Sequence, residues 1–216
     1  VIADAEAFIL AHTTLQAPPH ATELRLHLAD EITPIWRMTE AALGRLGLAP
    51  PFWAFAWAGG QALARWLLDH PEEARRRSVL DFAAGSGICA IAAMKAGAAR
   101  AVACEVDPFC APAIALNAAA NDVVVETLIA DLLEAPAPAF DLILAGDICY
   151  EQSLAGRVLA WLEAAYAAGA RVLIGDPGRS YFPRQGLVKL AAYSVPVTRE
   201  LEDMEIRRTG VWTFPD

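Results

Sequence analysis

Apolar residues fall along the chain with two different periods, and the changes of period mark the elements. From Ser78 onward, short apolar runs suited to strands alternate with longer segments of helical spacing. Strands are expected at Ser78–Phe82, Ala101–Glu105, Val123–Ala130, Phe140–Ala145 and Arg171–Gly175, and helices at Gly87–Ala96, Pro108–Ala120 and Leu154–Ala167. Near-continuous apolar strands separated by helices imply a mostly parallel sheet with both faces covered. Two later strand-like runs, around Ala192–Arg199 and Met204–Phe214, suit an antiparallel hairpin at the sheet edge.

The first third of the chain lacks this rhythm. Ala3–Leu15 is expected to be helical and to stop before Pro18-Pro19, and the alternation Leu24-Arg25-Leu26-His27-Leu28 suits a strand or extended arm. A second helix is expected from Thr33, as cap, and Pro34, at its first position, to about Leu43, after which Gly44 and Gly47 loosen the chain. A loop begins at Pro50-Pro51. The aromatic stretch Phe52–Trp57 then leads through Gly59-Gly60 to a helix over Gln61–Asp69 and a linker over Pro71–Arg77. The expected organisation is an N-terminal helical appendage, residues 1–50, before one α/β domain, residues 51–216.

Composition narrows the function classes. The 216 residues, 56% of them hydrophobic, are enough for one well-buried core. A formal net charge of −9 argues against a surface that tracks nucleic-acid phosphates. The four cysteines show no C-x-x-C spacing and no neighbouring histidine pair, so neither a metal site nor a disulfide framework is expected, and reduced thiols suit a cytoplasmic setting. Charges and prolines interrupt every apolar run before it reaches the roughly 20 residues that span a bilayer, so no membrane contact is expected. The sequence begins at Val1 rather than Met, and its start is not read as a biological terminus.

Candidate chemistry gathers at the expected strand ends. The first strand of the alternating region runs into Asp81-Phe82-Ala83-Ala84-Gly85-Ser86-Gly87 just as a helix begins, so Gly85 and Gly87 let a ligand approach the backbone closely. Gly85-x-Gly87-x-x-Ala90, with Glu105 closing the next strand, also fits a dinucleotide fingerprint, which keeps an NAD-dependent oxidoreductase in view. Two acids favour S-adenosylmethionine instead. Asp81 would crowd a pyrophosphate but can accept a hydrogen bond from a cationic amino-acid end, and Asp131, ending the third of these strands, can accept from an adenine amine. Glu105 then takes the ribose diol. The competing reading for Glu105 and Asp131 is that each caps the helix that follows.

After the fourth strand comes Gly146-Asp147-Ile148-Cys149-Tyr150-Glu151, on the side where open α/β sheets bind ligands. Asp147 and Tyr150 share the spacing of the Asp/Asn-Pro-Pro-Tyr motif of enzymes that methylate planar nitrogen, without its prolines. A full carboxylate suits a lysine amine better, so these two are the candidate catalytic residues; the alternative is that Asp147 caps the next helix and Tyr150 packs. Trp53, Phe55 and Trp57 either fill the core or wall a pocket where a π face stabilises a cation, and Trp53 and Trp57 are carried as donor-site candidates. The four scattered histidines suit surface positions.

These motifs resemble those of the seven-strand lysine methyltransferases that modify the β subunit of electron transfer flavoprotein. The likeness runs from about Leu24 to the C-terminus through Pro51–Leu63, the glycine loop, Glu105-Val106-Asp107-Pro108, Gly146–Glu151 and Leu173-Ile174-Gly175-Asp176-Pro177-Gly178-Arg179. It implies a doubly wound, Rossmann-like class I methyltransferase sheet and S-adenosylmethionine as cofactor. It also implies a protein lysine as acceptor, held at the Asp147-x-x-Tyr150 motif. Ala83 stands where the commoner Asp-x-Gly-x-Gly-x-Gly loop has glycine. A more distant similarity is to the ribosomal protein L11 methyltransferases, whose acceptors are also protein amines. A ligand-binding domain without catalysis is the remaining alternative.

Overall fold

Side chains alternate sharply across the central strands. Val79 and Asp81, Ala101 and Ala103, Leu142 and Leu144, and Leu173 face one side, whereas Leu80 and Phe82, Val102 and Cys104, Ile143 and Ala145, and Val172 and Ile174 face the other. Both sides are buried, as a parallel sheet requires. In the computed structural model, which describes residues 4–29, 38, 43–45, 50–183, 185–197 and 205–215, these strands form one seven-stranded sheet.

The elements of that sheet are β3 (Ser78–Phe82), β4 (Arg100–Glu105), β5 (Glu126–Ile129), β6 (Leu142–Gly146), β7 (Arg171–Asp176), β8 (Val188–Pro196) and β9 (Ile206–Thr213), in the spatial order β5-β4-β3-β6-β7-β9-β8. The first five are parallel, and β9 inserts antiparallel between β7 and β8. Strand order reverses between β3 and β6, and ligands of doubly wound folds bind at the carboxyl ends beside such a switch. Helices α2 (Ala58–Asp69), α3 (Ile88–Lys95) and α4 (Cys110–Ala120) cover one face, and α5 (Gln152–Ala167) covers the other. The seven-strand Rossmann-like expectation and the edge hairpin are therefore met.

The N-terminal segment folds differently from its expectation. Asp4 caps α1 (Ala5–His12) by accepting from the Ala7 amide at 2.9 Å, but the helix ends at Thr13. Leu15 lies instead in β1 (Thr14–Gln16), paired antiparallel with β2 (Leu26–Leu28), because Thr13 and Thr14 favour extended backbone. Two asparagines four residues apart, Asn117 in α4 and Asn121 at its C-cap, bolt β2 and the residue before it to the helix: Asn117 accepts from the His27 amide at 2.7 Å and Asn121 from the Arg25 amide at 2.9 Å. The helix expected from Pro34 to about Leu43 lies almost wholly outside the described residues, as do the far ends of the late strands at Arg199 and Met204. The run Val123–Val125 precedes β5 rather than joining it, and β5 itself is an exposed edge.

Helix α2 starts three residues earlier than its spacing predicts, with Gly59 and Gly60 inside its first turn. Glycine costs a helix about 1 kcal/mol there. The compensation is proximity: a Cβ on Gly59 would collide with the Gly175 carbonyl and lie 2.6 Å from Asp147 Oδ2, and one on Gly146 would lie 2.9 Å from the Gly60 nitrogen. Four glycines thus bring the N-terminus of α2 against the ends of β6 and β7.

Candidate functional site

A cavity of about 470 Å³ opens over the carboxyl ends of β3, β4 and β6. One wall is the turn from β3 into α3. Ala83, Gly85 and Gly87 all have positive φ, at 54°, 52° and 78°. This left-handed geometry suits glycine and strains Ala83. Asp81 is 2% exposed and accepts from the Ala90 amide at 2.9 Å, capping α3 from the preceding strand. Glu105 stitches the turn shut, accepting from the Gly85 amide at 2.9 Å and from its neighbour Val106 at 3.0 Å.

Burial raises both carboxyls, and their mutual repulsion adds to it at Asp81. Asp81 is pushed up to about 8 by loss of solvent, opposed by the Ala90 amide and reinforced by Glu105. Glu105 is raised by burial against the opposing amides of Gly85 and Val106. Among the described residues, neither carboxylate has an ion-pair partner. One buried and one half-buried acid without ion-pair partners among the described residues fit a ligand that brings positive charge, such as the ammonium and sulfonium of S-adenosylmethionine. A diphosphate would add like charge, which disfavours NAD.

Asp131 also lines the cavity, while its Oδ1 accepts from the Leu133 amide at 2.9 Å and its half-exposed side chain lies 4.0 Å from Arg157. Trp53 is not brought to the cavity. The 3₁₀ turn over Phe52–Ala54 breaks the alternation that suggested a shared face, turning Trp53 into the core against Phe109 with ring centroids 5.3 Å apart. Phe52 and Trp57 take the cavity positions instead, and the Trp57 indole donates to the Phe52 carbonyl at 3.0 Å.

The opposite wall is the loop after β6. Asp147 sits there with φ 58°, a left-handed conformation that Asp tolerates better than most residues. Its Oδ2 accepts from the Gly60 amide at 3.1 Å, so it caps α2 rather than the helix that follows it in sequence. Its Oδ1 accepts from Arg179 Nε at 3.1 Å and Nη2 at 2.6 Å. The Arg179 guanidinium also lies 5.7 Å from the Trp57 ring centre. Tyr150 is 51% exposed at the cavity mouth, its ring 5.7 Å from that of Phe52. Burial raises its phenol, with Glu105 and Glu151 adding to the shift.

Phe52 and Arg179 were not singled out by sequence reasoning. Arg179 belongs to the Asp176-Pro177-Gly178-Arg179 motif, but nothing local in that motif links it to Asp147, 32 residues earlier.

Comparisons with known proteins agree with this geometry. The chain superposes on the crystal structure of magnesium protoporphyrin IX methyltransferase from Synechocystis PCC 6803 with bound S-adenosylmethionine, with a TM-score of 0.53 and 14% identity, covering 72% of this chain and 78% of that one. The family model described as Ribosomal protein L11 methyltransferase (PrmA) matches residues 62–150. Fold, site and relatives define an S-adenosylmethionine-dependent methyltransferase of class I. The electron transfer flavoprotein beta subunit lysine methyltransferase of Rattus norvegicus is 41% identical over 170 residues, 76% of this chain and 67% of that protein. That of Xenopus laevis is 35% identical over 214 residues, 96% of this chain and 86% of that protein. The chain belongs to the electron transfer flavoprotein beta subunit lysine methyltransferase family.

Proposed function

We propose that this chain transfers a methyl group from S-adenosylmethionine to lysine side chains of the electron transfer flavoprotein β subunit, with residues 51–216 as the catalytic domain and residues 1–50 as an appendage. The observation that carries the reading is a division of charge within one cavity. Asp81 and Glu105 lack ion-pair partners among the described residues on one wall, and Asp147 is matched by Arg179 on the other.

When bound, S-adenosylmethionine supplies a methyl group already activated by its sulfonium. Asp81 and Glu105 attract the cationic ligand, and Ala83, Gly85 and Gly87 give it close access to backbone. Glu105 and Asp131 hold the ribose and adenine ends, and Trp57 walls the pocket. Asp147 accepts a hydrogen bond from the acceptor amine and orients it, while Tyr150 and Phe52 guide the lysine stem at the mouth. Positioning is the main contribution asked of these residues, because it converts an encounter into a directed displacement. A cytoplasmic setting is part of the reading, supported by four free, buried thiols.

A ribosomal protein L11-type acceptor is the second reading, favoured by the family-model match. That match ends at Tyr150 and so leaves out both Trp57 and Arg179. Incubating the purified chain with S-adenosylmethionine and each candidate protein, then mapping modified lysines by mass spectrometry, separates the two. Methylated L11 beside an unmodified flavoprotein subunit would replace the first reading by the second.

A further inference from the structure

The Asp147–Arg179 pair is built with some care. Asp176, 1% exposed at the end of β7, accepts from the Gly178 amide at 2.7 Å and the Arg179 amide at 2.8 Å, so the loop delivers Arg179 back across the site. The Arg179 and Asp147 side chains are only 17% and 11% exposed, and the Trp57 face flanks the guanidinium. A buried pair contributes little to stability, because desolvating both charges offsets their attraction. Its placement on the cavity wall calls for a chemical role.

A lysine amine attacks through its lone pair, which the ammonium form lacks. Its ordinary pKa is about 10.4, and an unbalanced carboxylate beside it would raise that further. An isolated Asp147 would therefore bind the acceptor in its unreactive form. We propose that Arg179 is a charge-balancing, positioning residue that cancels the Asp147 charge, so that the acceptor lysine is oriented by the carboxylate yet held as the neutral amine. This rests on the lysine-methyltransferase reading above. The amine nitrogen forms its bond to the methyl carbon, the electron pair of the broken carbon–sulfur bond stays on sulfur, and the surplus proton on nitrogen leaves to water.

Other titratable groups face the pair. Asp176 is pushed up to about 6, mainly by burial, and is ionised at alkaline pH. Cys149 on the same loop is pushed up to about 12, and Cys89 of α3 is raised well above its usual range, both mainly by burial, so both stay neutral thiols. Glu105 and Glu151 act on Tyr150 from the mouth, and that phenol is raised from its ordinary value. On the opposite wall Asp81 is pushed up to about 8, mainly by burial, and ionises in the same range, so the profiles are taken at saturating S-adenosylmethionine and the lysine contribution is the difference between wild type and the Arg179 variants, which leave Asp81 in place.

The test compares wild type, Arg179→Gln and Arg179→Lys with electron transfer flavoprotein β subunit as probe. In Arg179→Gln the alkaline rise of kcat should move up by about one pH unit, a roughly tenfold loss at pH 8, and Arg179→Lys, which keeps the charge, should restore much of it. Calorimetry of the same probe binding to enzyme loaded with S-adenosylhomocysteine, in two buffers of different ionisation enthalpy, should show proton release with wild type and less with Arg179→Gln. A uniform fall in kcat with an unmoved profile would make Arg179 merely structural and overturn the inference. A lower KM with an unmoved profile would make it a placeholder that the lysine displaces, which also overturns it. A wild type that methylates no lysine of the probe at any pH overturns the functional reading, and the inference falls with it; an active wild type with an unshifted variant overturns the inference alone.

Discussion

The two walls of the cavity handle negative charge in opposite ways. At the ends of β3 and β4, the buried Asp81 and the half-buried Glu105 accept from backbone amides but have no ion-pair partner among the described residues, and loss of solvent raises both carboxyls. At the end of β6, Asp147 is also enclosed but carries the Arg179 guanidinium on one oxygen and the α2 N-terminus on the other. On the proposed function the first wall takes its cation from the methyl donor, whereas the second already holds one in Arg179. A cationic donor and a neutral acceptor amine need these two environments side by side, and an enzyme with two like walls would repel one substrate or trap the other as an unreactive ion.

The largest effect is expected from Gly59→Ala, which breaks the acceptor wall alone. Its Cβ would meet the Gly175 carbonyl and sit 2.6 Å from Asp147 Oδ2, so backbone must move. Chemical denaturation should report a loss of about 3 kcal/mol or more, and a folded sample that still binds S-adenosylhomocysteine should have lost methyl transfer. Next, Glu105→Gln removes a charge from the donor wall while keeping an acceptor for the Gly85 amide. Calorimetric titration should show S-adenosylhomocysteine binding weakened by about 1.5–3 kcal/mol; unchanged affinity would take Glu105 out of the donor site.

Much of this contrast was legible before the fold was known, and the rest was hidden for physical reasons. Near-continuous apolar runs in β3, β6 and β7 made the central strands readable, and the acids at strand ends followed from them. Leu15 was misread because a helical reading of Ala3–Leu15 carries no information about the pairing of Thr14 with Leu28, which is a contact with a strand later in the chain. Gly59 and Gly60 read as a break before a helix, since intrinsic propensity excludes them from its interior; tertiary approach of β6 and β7 puts them there. Trp53, Phe55 and Trp57 looked equivalent until the 3₁₀ turn sent Trp53 inward. The helix-cap reading of Asp147 named the right interaction on the wrong helix, because α2 lies 87 residues earlier in the hydrogen-bonded pair Gly60–Asp147.

A pH series sharpens the donor half. The Asp81 carboxyl is ordinarily near 3.8 and is pushed up to about 8 in the fold, so between those values the native state keeps a proton that the unfolded chain releases. Stability of the ligand-free protein should therefore fall as pH rises across that window and level off above it, with Asp176, raised to about 6, adding to the lower part. The ligand's ammonium favours the ionised carboxylate, so affinity for S-adenosylhomocysteine, which keeps that ammonium, should rise as pH approaches 8. Asp81→Asn, which keeps an acceptor for the Ala90 amide, should flatten both trends; slopes equal to wild type would assign them elsewhere. The smallest effect belongs to Ala83→Gly. Relief of the left-handed strain at φ 54° should stabilise the protein by about 1 kcal/mol, visible as a higher thermal midpoint with donor affinity preserved.

Asp147→Asn tests the division of charge most directly, because the amide oxygen can still accept from Gly60 and keep α2 capped while the negative charge is lost. Thermal stability, S-adenosylhomocysteine affinity and methylation of the electron transfer flavoprotein β subunit should be measured on the same sample. The account predicts a folded protein with donor affinity close to wild type and methyl transfer reduced at least a hundredfold, by about 3 kcal/mol of lost orientation and charge balance. Methylation near the wild-type rate in that folded, donor-binding variant would contradict it.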